Sequence, residues 1–323
     1  MGSAAEVTTA ELRGNSVLIT GAGGYIGQQL QRALLLRCVQ AAYVYHEPTD
    51  KHHMHYGTNS MSAWCNLEAP AAAHRVLSDA SRTMPYAKTV VHLAGKATIR
   101  LAADAPGYTR PCADVCGIVA NYRNNVLTTA NVLESAIELG YEHIIFASSQ
   151  SVYGWNAATG ITTEDTPVDP IEYYAASKVA CEDMLRAASK HIWITVLRIS
   201  GVFGREPAGL VYNMVDQALC HDQINVNFAF PIPIDVVHID DVVSAIELAA
   251  QHKAPGYRVY NVSSGEPCSP RIIAERIAMM RSHVRIIETG VPCPIVHISN
   301  ERARTELGWA PERLNTRLHQ EGA

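Results

Sequence analysis

Ser16-Val-Leu-Ile-Thr20 runs straight into Gly21-Ala-Gly-Gly-Tyr-Ile-Gly27, and the reading of this stretch decides the fold. The first half is a short apolar, β-branched run of the kind that forms a buried strand, and the glycines form the turn that ends it. Gln28-Gln-Leu-Gln-Arg-Ala-Leu-Leu-Leu-Arg37 then repeats apolar residues at helical spacing, and Ala42-Tyr-Val-Tyr45 supplies a second strand. Together they make one β-α-β unit. In that setting Gly21, Gly24 and Gly27, with Tyr25 and Ile26 between them, are candidates for holding a dinucleotide. Backbone N–H groups and the positive end of the helix can approach a pyrophosphate there, where any Cβ would stand in the way. The spacing is Gly-x-x-Gly-x-x-Gly, with Gly23 also available. A glycine turn alone would only pack a helix on a sheet; the strand before it and the helix after it are what point to a nucleotide.

Outward from this unit the pattern recurs. Thr89-Val-Val-His-Leu93 reads as a strand, Tyr122 to Leu139 as an amphipathic helix, and His143-Ile-Ile-Phe-Ala147 as a strand closed by serines. Ile192-Trp-Ile-Thr-Val-Leu197 and Arg258-Val-Tyr-Asn-Val262 are further strands. Alternating strands and helices predict an α/β fold, a Rossmann-like doubly wound parallel sheet with both faces covered, which binds ligands at the carboxyl ends of its strands. From about residue 201 the alternation weakens and proline becomes frequent. The expected division is therefore a nucleotide-binding domain at 13–200 and a smaller mixed substrate lobe at 201–323, with the strand and helix near 234–262 returning to the first domain.

Composition narrows the classes. The chain has 323 residues, 48% of them hydrophobic and 18% charged, which supplies a sizeable core and excludes general disorder. A net charge of −5 leaves no electrostatic footprint for nucleic acid. Eight cysteines are scattered with no Cys-x-x-Cys pair, so neither a zinc site nor a disulfide frame is expected, and Cys112 and Cys116 read as packing residues. The histidines of the stretch His46 to His55 have no usual metal-ligand spacing and read as a polar surface loop; no metal is expected. No apolar run reaches the ~20 residues that span a bilayer, and the first residues lack a basic start followed by an apolar stretch. A cytoplasmic protein that meets no membrane is the expectation.

The residue at the end of the second strand usually sorts NAD from NADP, because a carboxylate pairs with the ribose 2′-hydroxyl and a cation with a 2′-phosphate. Tyr45, His46 and Glu47 occupy that region. Glu47 favours NAD; NADP is the alternative, through His46, Lys51 and His52.

Tyr174-Ala-Ala-Ser-Lys178 places a tyrosine and a lysine four residues apart on one helix face. A phenol with a pKa near ~10 is a poor acid or base at pH 7, and a neighbouring ammonium is expected to lower it. Upstream, Phe146-Ala-Ser-Ser-Gln-Ser-Val-Tyr-Gly154 puts hydroxyls at a strand's carboxyl end, and Ser149 is the candidate hydrogen-bonding partner for a reacting alcohol or carbonyl.

With these segments in hand, the glycine turn, His92-Leu-Ala-Gly95, Asn125-Val, Ser-Ser-Gln-Ser-Val-Tyr-Gly and Tyr-x-x-x-Lys together resemble the extended short-chain dehydrogenase/reductase family. Leu197-Arg-Ile-Ser-Gly-Val-Phe-Gly204, Val237-His-Ile-Asp-Asp-Val242, Tyr260-Asn-Val-Ser-Ser-Gly-Glu-Pro267 and Glu306-Leu-Gly-Trp309 resemble segments of its NAD-dependent sugar-nucleotide epimerase/dehydratase branch. The resemblance implies Tyr174 as acid/base, Lys178 as the residue that binds the nicotinamide ribose and lowers the tyrosine pKa, Ser149 as the group orienting the reacting oxygen and Asn125 as a supporting residue. It places Asn66 and Leu67 beside adenine, with Asn66 where the family has aspartate, and Leu93, Ala94 and Gly95 beside the cofactor. Lys96, Ser151 and Asn213 are candidate substrate contacts. Ile234-Asp-Val236 stands where the branch commonly has Arg-Asp-Phe, so the arginine that meets a substrate phosphate is missing, and Arg205, Arg110 or Arg100 is a candidate replacement.

Gln150 and Ser151 follow Ser149 where 4,6-dehydratases carry Asp-Glu, and neither is a general base at neutral pH. Sugar-nucleotide 4-epimerisation is the first reading. An NAD(P)H-dependent ketoreductase or dehydrogenase on a sugar or another small alcohol is the alternative, and a non-catalytic cofactor sensor a remote one. The resemblance also implies a homodimer through the Tyr-x-x-x-Lys helix and the 122–139 helix.

Overall fold

The computed structural model describes residues 16–46, 53–56, 60–96, 116–204, 209–228, 231, 233–281 and 283–322. Its centre is an eight-stranded sheet in the order β12-β8-β6-β5-β1-β2-β4-β3. The strands are β1 (Val17–Thr20), β2 (Ala41–His46), β3 (His53–Tyr56), β4 (Ser60–Cys65), β5 (Thr89–His92), β6 (His143–Ser149), β8 (Trp193–Ile199) and β12 (Tyr257–Val262). Seven run parallel, and β3 pairs antiparallel with β4 at the edge. Strand order reverses around β1, which opens the crevice where such sheets take ligands.

Both faces of the sheet are buried, which is why its strands read as apolar runs. Within β1, Leu18 faces one core, and Val17 and Ile19 face the other. Helices α2 (Pro70–Thr83), α4 (Thr128–Glu138) and α5 (Tyr173–Ala188) cover the first face with Val76, Leu77, Val132, Ala136, Cys181 and Leu185. The second is covered by α1 (Tyr25–Leu36), α7 (Ile239–Gln251) and α9 (Glu301–Leu307), and Trp309 donates its indole N–H to Asp241 O at 2.9 Å. A third cluster joins α6 (Leu210–His221), α8 (Pro270–Met280) and α10 (Leu314–Gln320) to the parallel pair β10 (Gln223–Phe228) and β13 (Arg285–Gly290). Short parallel pairs, β9 (Gly201–Phe203) with β11 (Val236–His238) and β7 (Ile161–Thr162) with β14 (His297–Ile298), tie the ends together.

Two local expectations are corrected. The stretch His46 to His55 is not a surface loop throughout: His46 ends β2, and His53 and His55 lie in the edge strand β3. β4 escaped the reading because its alternation is carried by weak strand formers, Ser-Met-Ser-Ala-Trp-Cys, of which only Met61, Ala63 and Cys65 are buried. The helix expected over 122–139 begins as a π-helical segment (Tyr122–Leu127) and continues as α4, and one more helical stretch, α3 (Cys116–Asn121), precedes it. The wider π turn carries Asn125, which is buried.

Candidate active site

The glycine turn is shaped by close contacts that side chains would break. Gly21 has φ +72°, and a Cβ there would lie 2.6 Å from Ala94 N; one on Gly27 would collide with the carbonyl of Gly21 and with Ala22. Helix α1 starts at Tyr25 with Gly24 as its N-cap in extended conformation and no side chain capping it. The N–H groups of the first turn therefore stay available to an anion. Thr20 O accepts from Leu93 N at 3.1 Å, which seats the loop after β5 beside the turn. A Cβ on Gly95 would lie 2.9 Å from Asn125 Oδ1 and 3.4 Å from Lys178 Nζ. Turn, loop and lysine are thus one contiguous surface at the carboxyl ends of the strands, with a backbone cradle that fits a dinucleotide phosphate.

Asn125 organises this surface. Its Oδ1 accepts from Lys96 N at 2.8 Å, and its Nδ2 donates to Ser177 Oγ at 2.9 Å and to Lys96 O at 3.3 Å. It therefore positions the 93–96 loop against α5. Lys96 is fixed through its backbone while its side chain is exposed. Asn66 Oδ1 accepts from Glu68 N at 3.0 Å, and Leu67 O accepts from Asn131 Nδ2 of α4 at 2.9 Å, so this loop is also anchored. His46 is exposed at the end of β2. Glu47, Lys51, His52, Arg100, Arg110, Cys112 and Arg205 lie outside the described residues.

On the other side of the crevice, Glu172 caps α5, accepting from Tyr174 N at 2.9 Å and Ala175 N at 2.8 Å. This cap fixes the first turn, where Tyr174 sits, with Lys178 one turn on. Tyr174 is hydrogen-bonded to Ser149, at the end of β6. Ser151 donates its hydroxyl to Ser149 Oγ at 3.0 Å. Lys178 Nζ donates to Ala147 O at 2.8 Å and lies 4.7 Å from the Phe146 ring centre and 5.8 Å from that of Tyr174. The structure therefore brings Tyr174, Lys178, Ser149, Ser151 and Asn125 together. Asn213 is exposed on α6, a helix of the third cluster.

The expected electrostatics need correction. Lys178 was to lower the Tyr174 pKa; instead burial pushes the phenol up to about 12, opposed by the Ser149 hydrogen bond. Burial also pulls the Lys178 ammonium down, with Cys181 and Glu182 opposing. In a site this enclosed, loss of hydration dominates. Next to the lysine, burial and then the Lys178 charge hold His92 down at about 3, so it is neutral between Thr20 Oγ1 at 2.6 Å and Thr129 Oγ1 at 3.0 Å.

A buried network behind the site was not anticipated. Glu182, a turn beyond Lys178, pairs with Arg198 of β8 at 2.7 Å and accepts from Ser148 Oγ at 2.5 Å. Arg198 also donates to Tyr153 Oη at 3.0 Å. The only signal in the sequence was the i, i+4 spacing of Lys178 and Glu182, which places both on the buried helix face. A cavity of about 250 Å³ lined by Phe203, Gly204, Val211 and Tyr212 opens nearby, and a Cβ on Gly204 would lie 3.0 Å from Tyr25 Oη of the glycine turn. Among the described residues, no group of three His, Cys, Asp or Glu is arranged to hold a metal ion, and no helix is long and apolar enough to cross a membrane.

A profile of the NAD dependent epimerase/dehydratase family matches residues 17–263. The chain belongs to this family. Membership makes it an NAD-dependent enzyme of epimerase or oxidoreductase type. Family relatives include the UDP-glucose 4-epimerase of Corynebacterium glutamicum, 25% identical over 95% of this chain and 94% of that protein. Family folds agree: the Thermotoga maritima UDP-glucose 4-epimerase with UDP-glucose superposes with a TM-score of 0.75 at 22% identity, covering 95% of this chain and 97% of that one. The Thermus thermophilus UDP-glucose 4-epimerase in complex with NAD gives 0.72 at 23% identity over the same shares.

Proposed function

We propose that this member of the family is a nucleotide-sugar 4-epimerase with a nicotinamide dinucleotide held across the glycine turn, the 93–96 loop and Lys178. The observation that carries the reading is the juxtaposition of Tyr174, hydrogen-bonded to Ser149, with Lys178, whose Nζ borders Gly95 beside the turn. On this reading the cofactor domain is 13–200 with the 234–262 segment returned to it, and a nucleotide sugar lies between it and the remainder of 201–323. Relatives named as UDP-glucose 4-epimerases support a UDP-sugar.

A bound dinucleotide supplies the hydride acceptor and donor and, when oxidised, a positive charge over the site. Ser149 holds the substrate C4 oxygen by hydrogen bonding, with Ser151 fixing the serine. Tyr174 takes the C4 hydroxyl proton as the carbinol is oxidised and returns it to the ketone oxygen as the opposite face is reduced. Its pKa near 12 keeps the phenol protonated for the second half, and Lys178, 5.8 Å from the ring centre, is the residue that would favour the phenolate in the first. Gln150 and Ser151 offer no second carboxylate, which speaks against dehydration. Ile234 in place of the phosphate-binding arginine favours a second reading, a ketoreductase on a smaller alcohol.

Mass spectrometry of small molecules released on denaturing the purified protein separates the two. Stoichiometric dinucleotide, with interconversion of UDP-glucose and UDP-galactose and no net cofactor turnover, is the expected result. An empty protein that oxidises or reduces substrate with cofactor consumption favours the ketoreductase.

Exposed Ile118, Val119, Tyr122 and Tyr173 on α3, the π segment and α5 support pairing of these helices with a second copy, to be read from the mass in solution. Cys38, Cys65, Cys181, Cys220 and Cys268 are reduced thiols, which suits the cytoplasm.

A further inference from the structure

The carboxyl end of the second strand sorts the adenosine ribose: a carboxylate there pairs with the 2′-hydroxyl and repels a 2′-phosphate. Here Tyr45, the penultimate residue of β2, holds that place. Ala22 N donates to Val44 O at 3.1 Å, so the end of β2 is stitched to the glycine turn. A Cβ on Gly23 would lie 3.4 Å from Tyr45 Cδ1, which sets the ring against the turn itself. That ring stacks on Trp64, its register partner in β4, with centres 4.9 Å apart and planes 16° from parallel. The Tyr45 hydroxyl donates to Gln31 Oε1 of α1 at 3.0 Å. Ring and hydroxyl are both engaged, and the next residue is the exposed His46.

We propose that Tyr45, clamped between the glycine turn and Trp64, replaces the selecting carboxylate, so that the site takes NADP(H) as well as NAD(H). The proposal rests on the dinucleotide reading above and specifies it. A neutral phenol has no charge with which to repel a 2′-phosphate, and an imidazole beside it is neutral or cationic, never anionic.

The test is calorimetric titration, with NAD+ and with NADP+, of the full-length protein stripped of retained dinucleotide by charcoal and shown empty by mass spectrometry, which reads binding whether or not turnover is observed. The two Kd values are expected within about tenfold of each other. Tyr45→Asp is expected to widen the preference for NAD+ by about tenfold or more, chiefly by weakening NADP+, while Tyr45→Phe leaves the ratio as it was. A native preference for NAD+ greater than about tenfold overturns the proposal, and its collapse in Glu47→Gln assigns selection to Glu47 instead. A Tyr45→Asp protein that melts like the native one yet keeps the native ratio also overturns it. Failure to bind either dinucleotide is a different result, which overturns the reading of the site itself.

Discussion

Tyr174→Phe separates the chemical role of the phenol from its place in the fold. The ring stays buried in the variant, and what is lost is the hydrogen bond to Ser149. Ser149 keeps the Ser151 hydroxyl at 3.0 Å and the Ser151 N–H at 3.2 Å, so the stability cost at pH 8 is about 1 kcal/mol, the net worth of one hydrogen bond. Loss of a positioned acid/base removes about 10²- to 10⁴-fold of rate, or about 3–5 kcal/mol of barrier lowering. The phenol also has a signature in alkali. Its pKa is about 12 in the folded protein against an ordinary value of 10.0, so between these pH values the unfolded chain has lost a proton that the native one keeps. Native stability therefore falls as pH rises from 10, by about 3 kcal/mol from this group once pH passes 12, and the variant lacks that component. Epimer interconversion measured beside urea denaturation at pH 8 and pH 11 reads all three quantities. Turnover within about threefold of native, in a protein that retains its dinucleotide, would refute the assignment of Tyr174 as the proton carrier.

Gly27→Ala drives a methyl group into the Gly21 carbonyl and Ala22, and is expected to cost about 1–3 kcal/mol and to abolish co-purification of a dinucleotide, read by mass spectrometry after denaturation. Glu182→Gln leaves Arg198 as an uncompensated buried charge; a loss of about 3–5 kcal/mol is expected in urea, and replacing Arg198 with Met in the same protein should recover part of it. His92 and His143 are held by burial at about 3 and about 4, below the ordinary 6.5, so the unfolded chain binds protons the native one refuses. Stability is expected to be complete above pH 6.5 and to fall by several kcal/mol as pH drops towards 4, with His143→Gln flattening the decline.

How far the site could be read from sequence differs from residue to residue. Tyr174, Lys178 and Ser149 were legible because each sits at a fixed offset within a local element, a helix turn or a strand end. The direction of the Tyr174 pKa was not, because it depends on how deeply the fold encloses the phenol. Asn125 was placed by resemblance, but its work, clamping the Lys96 backbone and Ser177, exists only once the 93–96 loop and α5 flank the π turn. The partnership of Glu182 with Arg198 joins a helix to a strand 16 residues away and carries no local pattern.

By itself the sequence determined the β-α-β start, the parallel sheet and the offsets of Tyr174, Lys178 and Ser149 within their elements, since strand runs, helical periodicity and glycines that tolerate no Cβ act over a few neighbouring residues. Tertiary structure alone decided strands β3 and β4, the π turn within the helix over 116–138, the burial that sets the charges, and the meeting of Tyr45, Gly23 and Trp64 at the end of β2. Those depend on contacts between segments distant in the chain, and pairing, desolvation and ring stacking act only after the backbone has brought such segments to within a few ångströms.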